Sequence, residues 1–271
     1  MGHWICESGL FRWWTREVLR TWCDISVNLD LRVVLFHLRY CGEKYRPNFT
    51  HDEIVKITQA YVALGGGGLA LFGSACLHTW PENISQVIPN FINQKPIDRA
   101  KFMDDSCYRG TLGACFSTTL GSVLHELCHT FDLGHTEKGI MGRGFDDIYK
   151  VFVCNKRSTE MKKFDEDGTF WTRSCLVLLA YHKWLNNHPN DGKGLLKFDP
   201  VHKILSSTKG LRVIELRNEG NGMVLFNWVF EGRILKYSFQ IPNDQLVTEN
   251  YVMIVEDNVG NILKHEIKLI V

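Results

Sequence analysis

"HELCHTFDLGH", residues 125–135, decides how this chain is read. It sets three histidines and one glutamate within eleven positions. The segment ahead of it, "STTLGSVLHELCHTF", carries Leu120, Val123, Leu124 and Leu127 at helical spacing. On such a helix His125 and His129 share one face a turn apart, so their imidazoles can converge on one ion with Zn–N bonds of about 2.0–2.1 Å. Glu126 sits beside them, where its carboxylate can reach a water on the ion without being a ligand. His135 cannot join them along a continuing helix, because it would lie about 9 Å farther along the axis. The chain must therefore leave the helix and turn back. Such an exit needs a residue that tolerates the left-handed region, and the sequence offers Asp132 and Gly134.

The pattern H-E-x-x-H-x-x-G-x-x-H followed by a methionine turn marks the metzincin clan of zinc endopeptidases. The chain resembles it at His125, Glu126, His129 and His135, with Asp132 at the clan's glycine position and Met141 six residues past the last histidine. The run "LHELCHTFDLGHTEKGIMGRGFDD", with "GLALFGSACLHTWP" upstream, is similar to a eukaryotic family of zinc metallopeptidases, over roughly residues 28–188. The resemblance implies one catalytic Zn2+ on His125, His129 and His135, with a peptide or protein as substrate. Three neutral imidazoles leave a fourth position for water. Glu126 would be the catalytic base, taking the water's proton and passing it to the leaving amine. The resemblance also implies that Met141 floors the site and that the strand at 69–77, if at a sheet edge, pairs with an extended peptide; the same run reads equally as a core strand. Metzincins place several strands ahead of the active-site helix, whereas here only 69–77 and a stretch near Cys115 present themselves, as in a shortened form.

Working outward, residues 8–22 and 29–46 read as helices, the second from Leu31, Val34, Leu35 and Leu38. "HDEIVKITQAYVAL" reads as another, opened by Thr50 or His51. A helix is expected from about Thr169 to Asn187. "NNHPNDGKG" then marks a boundary at 189–194, beyond which the period shifts from 3.6 to 2. "LRVIELR", "MVLFNWVFE", "ILKYSFQI", "YVMIVED" and "ILKHEIKLIV" are five short strands separated by turn residues. The expected fold class is α+β: a metzincin-like catalytic domain over 1–188 built on an active-site helix, then a small all-β sandwich-like domain over 200–271.

Composition sets the outer bounds. Of 271 residues, 45% are hydrophobic and 23% charged, which suits a globular chain with a sizeable core. The net charge of +1 gives no reason to expect nucleic acid or an anionic membrane as partner. Nine cysteines without a C-x-x-C pair do not form a disulfide framework, which favours cytosol or nucleus. The uncharged run 60–77 contains four consecutive glycines, Gly65 to Gly68, so a turn into a strand is expected there and not a membrane helix. Those glycines lack the G-K-[ST] of a phosphate loop. Tyr149 reads as a packed aromatic, His182 as structural or exposed, Cys128 as a small buried hydrophobe, and Asp146 and Asp147 as turn hydrogen-bonders. A second functional reading remains open: a catalytically inactive zinc-containing module whose β-rich tail meets a partner.

Overall fold

A computed structural model describes residues 32–36, 39–59, 62–153, 168–185, 194–242 and 250–268. The expected helix at 8–22 lies outside them. Backbone contacts group the chain into two compact units. One holds residues up to Thr130 together with Lys138–Phe170; the other holds Phe131–Glu137 together with Trp171 onward.

The first unit runs β1 (Arg32–Phe36), β2 (Arg39–Tyr40), α1 (His51–Lys56), β3 (Thr58–Gln59), β4 (Ala63–Gly66), β5 (Leu69–Gly73), α2 (Val87–Phe91), α3 (Leu112–Thr130) and α4 (Tyr149–Phe152). Thr50 caps α1 in a reciprocal capping box with Glu53. That helix stops at Lys56, well short of the expected fourteen-residue span. Beyond it Thr58–Gln59 pairs with Arg39–Tyr40 as a two-stranded ribbon. β4 and β5 form a hairpin turned at Gly67 and Gly68, whose φ values of 55° and 85° suit the left-handed backbone of a two-residue loop. The three-stranded sheet has the order β1-β5-β4, with β1 and β5 parallel from Arg32↔Leu69 to Phe36↔Gly73.

Two expectations are corrected here, and one alternative is decided. The segment read as a helix over 29–46 contains strand β1, because pairing with β5 outweighs the local leucine spacing and "RVVLF" is rich in β-branched residues. Cys115 belongs to α3 and not to a strand; its thiol is fully buried in a cluster with Ile54, Cys76 and Met103. Of the two readings left open for the run at 69–77, β5 takes the core one: it is the central strand of its sheet, its backbone groups are taken on both sides, and among the described residues β1 and β4 are the outer strands.

The nineteen-residue helix α3 organises this unit. Phe116 stacks on Phe91 at 4.4 Å between centroids and meets Trp80 edge-on at 5.8 Å. The Trp80 indole N–H donates to Thr119 Oγ1 at 2.8 Å, which satisfies its one polar atom. Two glycines bring other backbone against the helix. A Cβ at Gly121 would overlap the Phe145 carbonyl, and a Cβ at Gly65 would overlap the Glu126 carbonyl, so β4 passes directly over the backbone of the motif.

The second unit holds α5 (Arg173–Tyr181), β6 (Leu196–Asp199), β7 (Ile204–Asn218), β8 (Val224–Val229), β9 (Lys236–Gln240), β10 (Tyr251–Asp257) and β11 (Ile262–Ile267). Helix α5 is shorter than the expected Thr169–Asn187. The fifteen-residue strand β7 is shared: its first part pairs with β6 and β9, its second with β10 and β8. Registry with β9 shifts between Ser206 and Leu211, and Gly210 sits there at φ 90°. One face of β7 and β10 buries Leu211, Ile214, Leu216, Tyr251, Met253 and Val255. On the other face α5 packs against β7, β8 and β10. No helix among the described residues is long and apolar enough to cross a membrane.

Candidate metal centre

Helix α3 delivers His125 and His129 in its last two turns, and their Nε2 atoms stand 3.2 Å apart. Two nitrogens bound to one tetrahedral zinc at about 2.0–2.1 Å would stand about 3.4 Å apart, so the pair already has the required spacing. The His125 Nδ1–H donates to the Ile140 carbonyl at 2.7 Å, which leaves Nε2 as the lone-pair nitrogen of the neutral ring. The ring is buried and tilts against Phe145 at 5.0 Å.

The chain leaves the helix immediately after Thr130. Of the two residues that could make the turn, Asp132 takes the left-handed conformation, at φ 64°. Gly134 serves differently: a Cβ there would overlap the Arg217 side chain and the Gly222 carbonyl. His135 then lies beside the start of β8 as a parallel bridge to Met223. Its amide donates to Gly222 O at 3.1 Å, its carbonyl accepts from Val224 N at 2.8 Å, and its Nδ1–H donates to Asn221 O at 2.7 Å. His125, His129 and His135 offer ligand atoms that all lie within 4.8 Å of one another. The spread over all three is looser than the 3.2 Å of the helical pair. Donor type, tautomer and spacing fit a divalent zinc.

Glu126 follows His125 on the same helix and is half-buried, with β4 crossing at its carbonyl. Met141 is fully buried in a tight turn that begins at Gly139, φ 79°; the amides of Gly142 and Gly144 both donate to the Gly139 carbonyl. The preceding carbonyl, that of Ile140, is the one that orients His125. Cys128 is fully buried, as expected of a small hydrophobe. Tyr149 opens α4 and its amide donates to Ser117 Oγ, while Ser117 Oγ–H donates to the Asp146 carbonyl. Asp147 pairs with Arg109 and Lys150, and Asp146 with Arg143. His182 is structural: it is wedged edge-on between Phe131 and Trp184, and burial pushes its pKa down to about 4, helped by Lys183 and opposed by Asp132.

Two sets of residues at this site have no counterpart in the sequence reading. One is the buried pair Glu215 and Arg217; Arg217 donates to Glu215 Oε2 at 2.8 and 2.5 Å and to the Asp132 carbonyl at 2.6 Å. The other is the turn Asn218–Met223, which holds His135 through backbone atoms. A signal existed for the first: two charges two residues apart in an apolar strand point to one face, and a buried face tolerates them only when they are paired.

Residues 10–222 match the model of the family described as "Putative peptidase family". The chain belongs to that family. The match spans the histidine cluster and reaches the turn that grips His135. Among curated proteins the chain is similar to one of Saccharomyces cerevisiae named "Putative zinc metalloproteinase", 30% identical over 139 residues, 47% of this chain and 20% of that protein. A Schizosaccharomyces pombe protein of the same description is 33% identical over 110 residues, 39% of this chain and 18% of its own length. The stretch shared with these curated relatives is about a fifth of their length. Among solved structures, OgpA from Akkermansia muciniphila matches with a TM-score of 0.40 at 13% identity, over 94% of this chain and 70% of that one. A catalytically inactive OgpA in complex with an O-glycopeptide substrate matches with a TM-score of 0.41 at 12% identity.

Proposed function

We propose that the chain is a zinc-dependent endopeptidase of metzincin type, with a catalytic region over 1–188 and an accessory β region over 200–271. The observation that carries this reading is the convergence of His125, His129 and His135 with Glu126 beside the helical pair. His125, His129 and His135 would hold the zinc, which would supply Lewis acidity toward the substrate carbonyl and lower the pKa of water toward about 7. Glu126 takes a proton from the attacking water and returns it to the leaving amine nitrogen. The half-buried position of this carboxylate, in a helix whose backbone is pinned beneath β4, restricts where it can reach. In this reading the extended peptide pairs with β4, an outer strand of its sheet, and not with β5.

The test measures bound zinc and cleavage of a peptide library by the wild type and by Glu126→Ala. One zinc per chain in both proteins and cleavage lowered by two orders of magnitude or more in Glu126→Ala is the expected result. Equal cleavage by the two proteins refutes the assignment of Glu126. Zinc in both with no cleavage by either supports an inactive zinc-containing module instead.

A further inference from the structure

The β strands after residue 200 look, from sequence, like an appendage to the histidine motif. The hydrogen bonds within the second unit say otherwise. His135 belongs by its contacts with residues 171 onward; its amide and Nδ1 are bound to the turn between β7 and β8, and its carbonyl to the first residue of β8. The left-handed turn that delivers it is held as well. Arg217 is buried on the α5-facing side of β7 and donates to the Asp132 carbonyl at 2.6 Å. Its Nε and Nη2 both donate to Glu215 Oε2, and Glu215 has no solvent exposure. A guanidinium gripped at two of its nitrogens by a buried carboxylate is a rigid donor, and a planar fork loses little freedom per bond formed. Gly134 completes the arrangement, since any side chain there would displace Arg217.

We propose that Arg217, held by Glu215, is a positioning residue for the metal centre: it fixes the Asp132 carbonyl and with it the turn that places the third imidazole, while the Asn221 carbonyl sets that imidazole's tautomer. The proposal rests on the reading of the three histidines as zinc ligands. A metal-binding imidazole is aimed by the acceptor on its other nitrogen, and loss of such an outer partner typically lowers metal affinity about 10- to 100-fold. Here the acceptor is a main-chain oxygen 86 positions away in sequence, so the aim depends on the strand pairing behind it.

The experiment uses the full chain, with zinc affinity measured by chelator competition and the cobalt-substituted protein examined by visible absorption. Arg217→Met alone would strand Glu215 as a buried charge, so the variant is the double substitution Glu215→Gln with Arg217→Met. A second variant, Gly222→Ala, strains the turn at φ 69° without touching the buried pair. His135→Ala is the reference for a lost third ligand. The expected result is a folded double variant, by circular dichroism, whose zinc affinity is about 10- to 100-fold weaker. Its cobalt spectrum should move toward that of His135→Ala, and Gly222→Ala should move in the same direction. A folded double variant with wild-type affinity and an unchanged cobalt spectrum overturns the proposal; if the double variant does not fold, Gly134→Ala, whose methyl displaces the Arg217 side chain, takes its place, and unchanged affinity and spectrum there overturn it. Failure of the underlying zinc reading looks different: the wild type and His135→Ala would then bind zinc equally weakly.

Discussion

The single non-glycine residue that turns the helix toward His135 gives a graded test of the whole arrangement. Asp132 stands at φ 64°, a conformation that costs an L-residue about 1–2 kcal/mol and an aspartate toward the lower end of that range. Its carboxylate pairs with Lys264, but the two side chains are 23% and 55% exposed, so this contact contributes about 0–1 kcal/mol. Asp132→Gly removes the strain, gives up the ion pair and adds unfolded-chain entropy of about 0.5–1 kcal/mol; the three nearly cancel, and stability should stay within about 0.5 kcal/mol of wild type. Asp132→Ala keeps the strain and loses the pair, and should destabilise by about 1 kcal/mol. Asp132→Val adds the crowding of a β-branched side chain and should cost about 2 kcal/mol or more. None of the three removes the Asp132 carbonyl that Arg217 holds. Urea denaturation of metal-stripped protein reads the series without the contribution of bound zinc. An alanine variant as stable as the glycine variant would refute a left-handed exit at this position.

Two further outcomes follow from packing and burial. Gly65→Ala drives a methyl into the Glu126 carbonyl, a backbone group that cannot swing aside; a loss of about 1–3 kcal/mol is expected, with peptide cleavage impaired beyond what the folded fraction explains, as read by denaturation and assay on one preparation. His182, with a pKa lowered to about 4, is neutral in the fold while the unfolded chain takes up its proton near pH 6.5. Its contribution to stability is therefore present above about pH 6.5 and lost as pH falls toward 4, by about 3 kcal/mol in all. Urea midpoints of zinc-free protein at pH 7 and pH 4.5 should show a smaller fall for His182→Phe than for the wild type.

The motif helix was legible because it is long and because its apolar positions repeat at 3.6 residues from Leu120 to Leu127. The strands "LRVIELR" through "ILKHEIK" were legible for the corresponding reason at period 2. The segment around Val33 was not, since four apolar residues at helical spacing also suit a strand, and only the pairing with β5, more than thirty positions on, decides between them. The same limit hid which strand forms the sheet edge. Local chemistry identified Asp132 and Gly134 as the two residues able to end the helix, but could not divide their roles. One bends the chain and the other makes room for Arg217, a residue whose importance depends on contacts 85 positions apart.

The separation between His135 and its acceptor has a bearing on how the protein is made. A ribosome adding about 5–20 residues per second needs roughly 4–17 s to pass from His135 to Asn221. Through that interval the helical imidazoles are already synthesised while the hairpin that aims their companion is not. A metal centre wired in this way is complete only after translation of the strands that grip its third imidazole, so whatever chemistry it carries arises after residue 221 is added and not while the motif helix is emerging.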